Sequence, residues 1–256
     1  MNYEPDYLAR RMVGKNSRTI GVIVPDVTNP FFGTLLKGIE SVAYQEEFIL
    51  MLCNADFKAE KENYYLETLI RRGVDGFIIA SSSISNQTLK DSLIAKKLPF
   101  IVLDQKKNTG MSDALEIADF EDGVLAGKHL ADFGHEKVAV IIQKDAPENI
   151  QERLAGIQSI YSDCLIIDAP LTKEGGKKVS EEIVKSNVTA IFATNDEQAF
   201  GLYQGLKKLG KTIPDDYSII GYDDSELNEL AVPSLTSIAQ PTFELGKKVP
   251  NYYLNE

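Results

Sequence analysis

Three apolar runs of this 256-residue sequence end in carboxylate or amide side chains. Parallel strands of one sheet direct their carboxyl ends at a common crevice, where ligands bind. A carboxylate there can accept hydrogen bonds from two neighbouring hydroxyl groups, and charged hydrogen bonds contribute about 1.5–3 kcal/mol each. The pattern therefore favours a sugar site, although the same residue types also cap helices. The residues are Asp104, Asn195, Asp196, Tyr222, Asp223 and Asp224.

The first predicted strand ends in aromatic residues instead, in the sequence Asn29-Pro30-Phe31-Phe32. Asparagine at the cap and proline at the first helical position predict that a helix begins there. Adjacent residues on a helix cannot point the same way, so at least one ring is expected to face the ligand crevice. The alternative is an ordinary helix start with both rings packed in the core.

Arg153 is predicted to lie at the start of a helix, in Gln151-Glu152-Arg153-Leu154. A cation there opposes the helix dipole, so another reason for it is needed, and donation to ligand hydroxyl groups is one. The alternative is a surface arginine paired with Glu148 or Glu152. On the first interpretation, alanine at Arg153 or at Asp223 is predicted to abolish ligand binding with little loss of fold.

Several classes of protein are disfavoured by the sequence. It lacks an apolar run of about 18 residues, a nucleophile elbow and a glycine-rich phosphate loop. The two cysteines and two histidines show no zinc spacing, and no feature marks Asp104 and Asp223 as a hydrolase pair. We therefore expect a cytoplasmic protein that is not an enzyme, with no metal, no cofactor and no membrane segment.

The charge is distributed unevenly along the chain. The net charge is -11, but the first 18 residues carry +2, so the remainder carries -13. An acidic body repels nucleic acid. Any contact with DNA is therefore expected from the N-terminal segment or from a further domain.

Apolar runs alternate with amphipathic helical patterns, which is typical of βαβ units in a parallel sheet. The fold class predicted is α/β, with two Rossmann-like lobes and multiple crossovers near Gln105 and within Ser234–Gln240. The predicted strands are Thr19–Val24, Phe48–Cys53, Gly76–Ala80, Phe100–Leu103, Lys137–Ile142, Cys164–Asp168, Ala190–Ala193, Ser218–Tyr222 and Leu235–Ala239. The predicted helices lie near Phe31–Gln45, Ala59–Arg72, Gln87–Lys96, Glu121–Phe133, Gln151–Tyr161, Lys173–Ser186, Glu197–Leu209 and Ser225–Leu230.

Short motifs occur along the chain in an order that is far more specific than any one of them. They are Tyr3–Met12, Thr19–Asp26, Asn29–Phe32, Gly134-His135, Arg153–Gly156, Asn195-Asp196, Gly221–Asp224 and Ser237–Pro241. With them, nearly the whole chain resembles the LacI/GalR family of bacterial transcriptional repressors. The resemblance implies a fold like that of type I periplasmic sugar-binding proteins.

The likeness is strongest to ribose operon repressors, and it implies a homodimer whose affinity for operator DNA responds to a ribose-like sugar. The hinge residues Ala9, Arg10 and Met12 match positions that contact the minor groove, with Met12 in place of the usual leucine wedge. The positions that match sugar contacts are Asn29, Phe31, Phe32, Asp104, Gln105, Arg153, Asn195, Tyr222, Asp223 and Gln240.

The resemblance also predicts the domain boundaries. Residues 1–17 match a linker and hinge helix, 18–104 with 235–256 form the N-terminal lobe, and 105–234 form the C-terminal lobe. The helix-turn-helix that normally precedes the hinge is absent from these residues. Because Lys247–Glu256 does not resemble the family's continuation, we expect the C-terminal lobe to be incomplete.

One departure affects the identity of the ligand. Ribose-type sites often have Asp-Arg where this chain has Asp104-Gln105. Either the sugar differs, or another residue supplies the lost donor. The rival function is an exported sugar-binding protein of a transporter, which would share the pocket. The hinge pattern favours the regulator, because a transporter component has no use for it.

Overall fold

The computed structural model describes residues 17–80, 93–103, 112–115 and 118–254. The chain divides into two compact units, one of residues 1–116 and 242–256, the other of residues 117–241. In chain order the elements are β1 (Thr19–Val24), α1 (Pro30–Gln45), β2 (Ile49–Asn54), α2 (Ala59–Arg72), β3 (Gly76–Ile79), β4 (Phe100–Leu103), β5 (Ser112–Leu115), α3 (Asp119–Asp132), β6 (Val138–Ile142), α4 (Glu148–Gln158), β7 (Leu165–Asp168), α5 (Lys173–Lys178), α6 (Ser180–Lys185), β8 (Ala190–Ala193), α7 (Asp196–Lys208), β9 (Ser218–Asp223), a 3-10 helix (Glu226–Leu230), β10 (Thr236–Ala239) and α8 (Thr242–Leu254).

Each unit contains a five-stranded parallel sheet. The order is β2-β1-β3-β4-β5 in the first and β7-β6-β8-β9-β10 in the second. In both sheets, the strand that comes second in the chain lies at one edge, beside the first strand. The other three strands follow on the opposite side of the first strand. Strands β1, β3, β6 and β8 are buried along their whole length, as expected where helices cover both faces of a sheet. The prediction of two similar parallel α/β lobes is confirmed.

The last helix packs against the first helix of unit one through glycines. A Cβ atom on Gly38 would lie 2.3 Å from the Phe243 carbonyl oxygen, and one on Gly246 would lie 2.3 Å from the Leu35 carbonyl oxygen. Any side chain at either position would push α1 and α8 apart. The two helices therefore cross in close contact, in the segment that returns to the first unit at Thr242.

Two boundaries differ from those predicted. Strand β10 pairs with β9 in the second sheet, with Ile238 opposite Tyr222, and Ile238 packs in the second core. Residues 235–241 therefore do not belong to the first lobe. In the first sheet, Ser112–Leu115 pairs with β4, so that unit continues beyond the crossover expected near Gln105. The polar sequence Ser-Asp-Ala-Leu has no pattern that predicts a strand. It forms one only because it pairs with β4.

Smaller differences concern the helices. The segment predicted as one helix over Lys173–Ser186 forms α5 and α6, and Ser225–Leu230 forms a 3-10 helix. Helix α8 was not predicted. The predicted helix Gln87–Lys96 falls largely outside the described residues. Within the described part of the chain, no helix is long and apolar enough to span a membrane.

Candidate functional site

The turn between β1 and α1, here called the aromatic turn (Asn29, Phe31 and Phe32), is held by local hydrogen bonds. Asn29 caps α1, since its Oδ1 accepts from the Phe31 N–H at 2.9 Å, and Pro30 occupies the first helical position. The predicted capping role of Asn29 is confirmed. Upstream, Asn54 Oδ1 at the end of β2 accepts from the Val27 N–H at 3.1 Å, which ties the turn to the sheet.

The two rings of the aromatic turn lie at right angles. Their centroids are 5.1 Å apart with an interplanar angle of 88°, and both side chains are half-buried. Neither ring belongs to the buried core of the first unit, so the alternative in which both pack inside is wrong. Each ring keeps part of its surface accessible, and aromatic faces carry negative potential that attracts polarised C–H groups.

Arg153 lies in the second unit in a position that neither sequence interpretation anticipated. It is the sixth residue of α4, beyond the first turn where the dipole argument applies, and only 4% of it is exposed. Its Nε donates to Asp119 Oδ1 at 2.7 Å, and its Nη1 donates to the Thr194 carbonyl oxygen at 2.8 Å. The surface pairing with Glu148 or Glu152 is therefore wrong.

Tyr222 completes this group, here called the arginine cluster (Asp119, Asp122, Arg153, Thr194 and Tyr222). The Arg153 Cζ lies 3.4 Å from the centroid of the Tyr222 ring, a cation–π contact. The Tyr222 hydroxyl lies 2.7 Å from Asp122 Oδ2 and 3.1 Å from Asp119 Oδ1, and donates to these carboxylates. Burial raises the pKa of Tyr222, so the phenol stays protonated. Burial also raises the pKa of Asp119, and Arg153 partly offsets this.

Asp223 and Gln240 are joined by a hydrogen bond at the carboxyl ends of β9 and β10. Gln240 Nε2 donates to Asp223 Oδ1 at 3.3 Å, and the negative charge of Asp223 acts on the Arg153 guanidinium. Asp223 and Asp224 both adopt positive φ, 110° and 54°. Such conformations cost about 1–3 kcal/mol each and cluster at ligand sites. The assignment of these residues to a ligand site stays a prediction.

Asn195 and Asp196 are used within the fold. Asn195 caps α7, since its Oδ1 accepts from the Gln198 N–H at 2.8 Å, while its Nδ2 donates to the Leu171 carbonyl oxygen at 3.1 Å. Asp196 accepts from the Ser225 N–H at 2.8 Å and from Ser237 Oγ at 2.7 Å. For Asn195 the capping alternative is therefore correct, and a ligand contact would have to share its amide with these bonds.

Burial raises the pKa of Asp196 to about 6, and its hydrogen bonds from Ser225, Ser237 and Asn228 counteract part of that rise. These bonds connect the start of α7 with the residues that follow β9 and with β10. Asp196 therefore holds the strand ends of the second sheet together.

Five of the predicted site residues lie outside the described residues. They are Asp104 and Gln105, which follow Leu103 in the sequence, and the hinge residues Ala9, Arg10 and Met12. Conversely, the sequence did not single out Asp119, Asp122 or Thr194, which contact Arg153 or Tyr222. Asp119 and Asp122 stand in the first turn of α3, where acidic residues are common, so no local signal separates a buried partner from a helix-start acid.

An apolar surface of the second unit surrounds a hollow of about 640 Å³. Two of its apolar residues are largely exposed, Leu230 to 75% and Val232 to 92%. We call this surface the apolar face; its residues are Phe200, Tyr203, Ile213, Leu227, Leu230, Ala231 and Val232, with Lys173, Lys207 and Lys211 at its edge.

Residues 17–255 match the family described as periplasmic binding proteins and sugar binding domain of LacI family. The transcriptional regulator DegA of Bacillus subtilis (strain 168) is 33% identical over 96% of this chain and 76% of its own length. A transcriptional repressor PurR of Vibrio cholerae is 34% identical, with the same two coverages.

Two solved structures are similar over most of the chain. A LacI family transcriptional regulator from Enterococcus faecalis V583 with bound ribose has a TM-score of 0.87 and 56% identity, covering 93% of this chain and 89% of that one. A LacI family regulator from Enterococcus faecium, also with bound ribose, has a TM-score of 0.86 and 47% identity with the same coverages.

Proposed function

The chain belongs to the LacI family and forms the effector-binding domain of a transcriptional repressor, and we propose that its effector is ribose or a closely related pentose. The family and the fold predicted from the sequence are confirmed, and the named relatives are regulators rather than enzymes. The observation that carries the ribose proposal is that a regulator solved with ribose is 56% identical to this chain over the part that the two share.

The chemistry of both units supports a sugar as the ligand. The rings of Phe31 and Phe32 offer faces to the C–H groups of a sugar, and Asn29 offers an amide. In the second unit, Arg153 offers N–H donors and Asp223 a carboxylate acceptor for hydroxyl groups. A site built to bond hydroxyl groups rejects analogues that lack them, because its own polar groups are left unpaired. We propose Asp104, Gln105, Asn195, Tyr222 and Gln240 as the further contacts.

The ligand controls DNA binding by its unequal affinity for two states of the domain. Couplings of this kind are about 1–3 kcal/mol, which changes operator affinity by about 5- to 150-fold. We propose that the hinge residues Ala9, Arg10 and Met12, with a preceding helix-turn-helix, contact the operator. A repressor acts on the chromosome, so the proposed location is the cytoplasm. The transporter alternative is not favoured, because the named relatives are regulators.

We propose that the protein is a homodimer and that the apolar face contributes to its interface. Exposed apolar patches of this kind mark association sites on soluble proteins. In the first unit, the edge strand β2 also carries exposed apolar residues, Ile49 and Leu52. Replacing Leu230 and Val232 by aspartate is expected to yield monomers in sedimentation experiments. The matched control is Phe133→Asp, since Phe133 is also exposed but lies outside the apolar face. Dimers that persist in the double variant would remove this surface from the interface.

Calorimetry with a panel of pentoses and hexoses tests the ligand. We expect ribose to bind at micromolar concentration and 2-deoxyribose, which lacks one hydroxyl, to bind more weakly. If no sugar binds and a phosphosugar or a purine does, the sugar assignment is wrong.

A further inference from the structure

We propose that Asp119 is the positioning residue of the sugar site, which acts by fixing the guanidinium of Arg153 in the orientation that meets the ligand. The inference rests on the proposed sugar-binding function and extends it to a residue that the ligand need not touch. It follows from the contacts of the arginine cluster.

The guanidinium of Arg153 is constrained in three directions. The bonds to Asp119 and to the Thr194 carbonyl oxygen use two different nitrogens, so together they fix the plane of the group. The Tyr222 ring lies against one face of that plane. A guanidinium has five N–H groups. Two are bonded within the described residues, which leaves the outer N–H groups as donors for a ligand.

Asp119 is the only charged residue of the cluster that bonds directly to Arg153 in the described structure. Both partners are almost fully buried, with 5% and 3% of their side chains exposed. A free arginine would lose rotamer freedom when it binds a ligand, whereas one fixed beforehand loses little. Asp119 therefore lowers the entropic cost of binding, and its carboxylate need not contact the sugar to do so.

Glu121 provides a matched control in the first turn of the same helix. It is exposed and is not a member of the arginine cluster. Glu121→Gln removes one negative charge from this turn, as Asp119→Asn does. Only the Asp119 variant removes the carboxylate that holds the guanidinium.

The first measurement is ribose affinity by calorimetry, with the full chain. Asp119→Asn is expected to weaken binding by about 10- to 100-fold, as for the loss of a charged hydrogen bond, and Glu121→Gln by less than about threefold. Asp119→Glu keeps the negative charge but displaces the carboxylate by one methylene. It tests the proposal even if Asp119→Asn fails to fold. We expect it to weaken binding by about three- to tenfold.

The second measurement is the NMR signal of the Arg153 Nε–H in ¹⁵N-labelled protein without sugar, assigned by its loss in Arg153→Lys. In the wild type and in Glu121→Gln it should exchange slowly with water. In Asp119→Asn it should shift and exchange faster in the folded protein. A purely structural role for Asp119 would lower thermal stability without changing this signal.

Unchanged ribose affinity in folded Asp119→Asn, or an unchanged Nε–H signal, would overturn the inference. Failure of the wild type itself to bind ribose would overturn the proposed function, and the ligand role of Asp119 with it. The two failures are distinguishable, because only the second appears in the wild type.

Discussion

The aromatic turn and the arginine cluster hold their side chains by different means. In the turn, the bond from the Phe31 N–H to Asn29 spans two residues of the chain, and the interacting rings are neighbours. In the cluster, Arg153 bonds to partners 34 and 41 residues away, and Tyr222 bonds to Asp119 across 103 residues. One region is built from local sequence, and the other exists only once the second sheet has formed.

The difference has an energetic consequence. The rings of the turn are half-buried, so their loss removes part of a hydrophobic contact. The ion pair of the cluster is buried, so removal of one partner leaves a desolvated charge without compensation. Substitutions in the cluster should therefore affect folding and binding together, whereas substitutions in the turn should affect mainly binding.

The largest effect is expected for Arg153→Ala. It leaves Asp119 buried without its cation, which costs about 3–5 kcal/mol, and it abolishes ribose binding. This differs from the prediction made from the sequence alone, in which the fold is spared, because the ion pair is buried. Urea unfolding measures the loss.

The matched control for that prediction is Arg71→Ala. Arg71 pairs with Glu67 on the surface, with 64% and 65% of the two side chains exposed, so its loss should cost less than about 1 kcal/mol. If the two variants lose the same free energy of unfolding, the buried ion pair stabilises the protein no more than a surface pair does.

The second largest effect is expected for the pH dependence of the free energy of unfolding, through Asp196 in the second unit. Burial raises the pKa of Asp196 to about 6 from an ordinary value of 3.8. Its contribution to stability is therefore present in full below about pH 4 and is lost as the pH rises through about 6. Relative to Asp196→Asn, the wild type should lose up to about 3 kcal/mol between these limits. Urea unfolding at several pH values tests this, and a difference that does not vary with pH would contradict it.

A smaller effect on folding is expected for Phe31→Ala. Because the ring is half-buried, its loss should cost about 2 kcal/mol, below the range for a core phenylalanine. Ribose affinity should fall by about tenfold if the ring stacks on the sugar. Phe133→Ala, at an exposed ring, should change neither stability nor binding. Wild-type affinity in Phe31→Ala would remove the ring from the ligand site.

The smallest effect is expected at Asn29, where two substitutions distinguish its role as a helix cap from a role in ligand binding. Asn29→Ala should cost about 1 kcal/mol through loss of the helix cap, while Asn29→Asp keeps a capping oxygen and should cost less than about 0.5 kcal/mol. If the amide also donates to the sugar, both variants bind ribose more weakly. If Asn29→Asp binds as tightly as the wild type, Asn29 serves only as a cap.

The central strands could be predicted because their patterns are nearly continuous. The bounds predicted for Thr19–Val24, Phe100–Leu103 and Ala190–Ala193 agree with the structure. The strand Ser112–Leu115 was missed because its residues have little strand preference of their own. It forms because pairing with β4 outweighs that weak preference. Strand β10 was recognised but assigned to the wrong sheet, since a pattern predicts a strand and does not identify its neighbour.

Among the predicted site residues, the order of motifs includes Arg153 and Tyr222 but does not indicate how they interact. Neither residue carries a local signal for burial or for its partners. Asp119 escaped notice altogether, because an aspartate in the first turn of a helix has an adequate local explanation.

What the sequence by itself determined is therefore local: the parallel-sheet pattern, the start of α1 at Pro30, and the paired rings that follow it. These features depend on contacts between residues a few positions apart, which sequence spacing encodes directly. The assignment of β10 to a sheet, the burial of Arg153 and its pairing with Asp119 were decided only by the tertiary structure. They depend on which distant segments meet, and burial of a charge is tolerated only where those segments bring a partner to it.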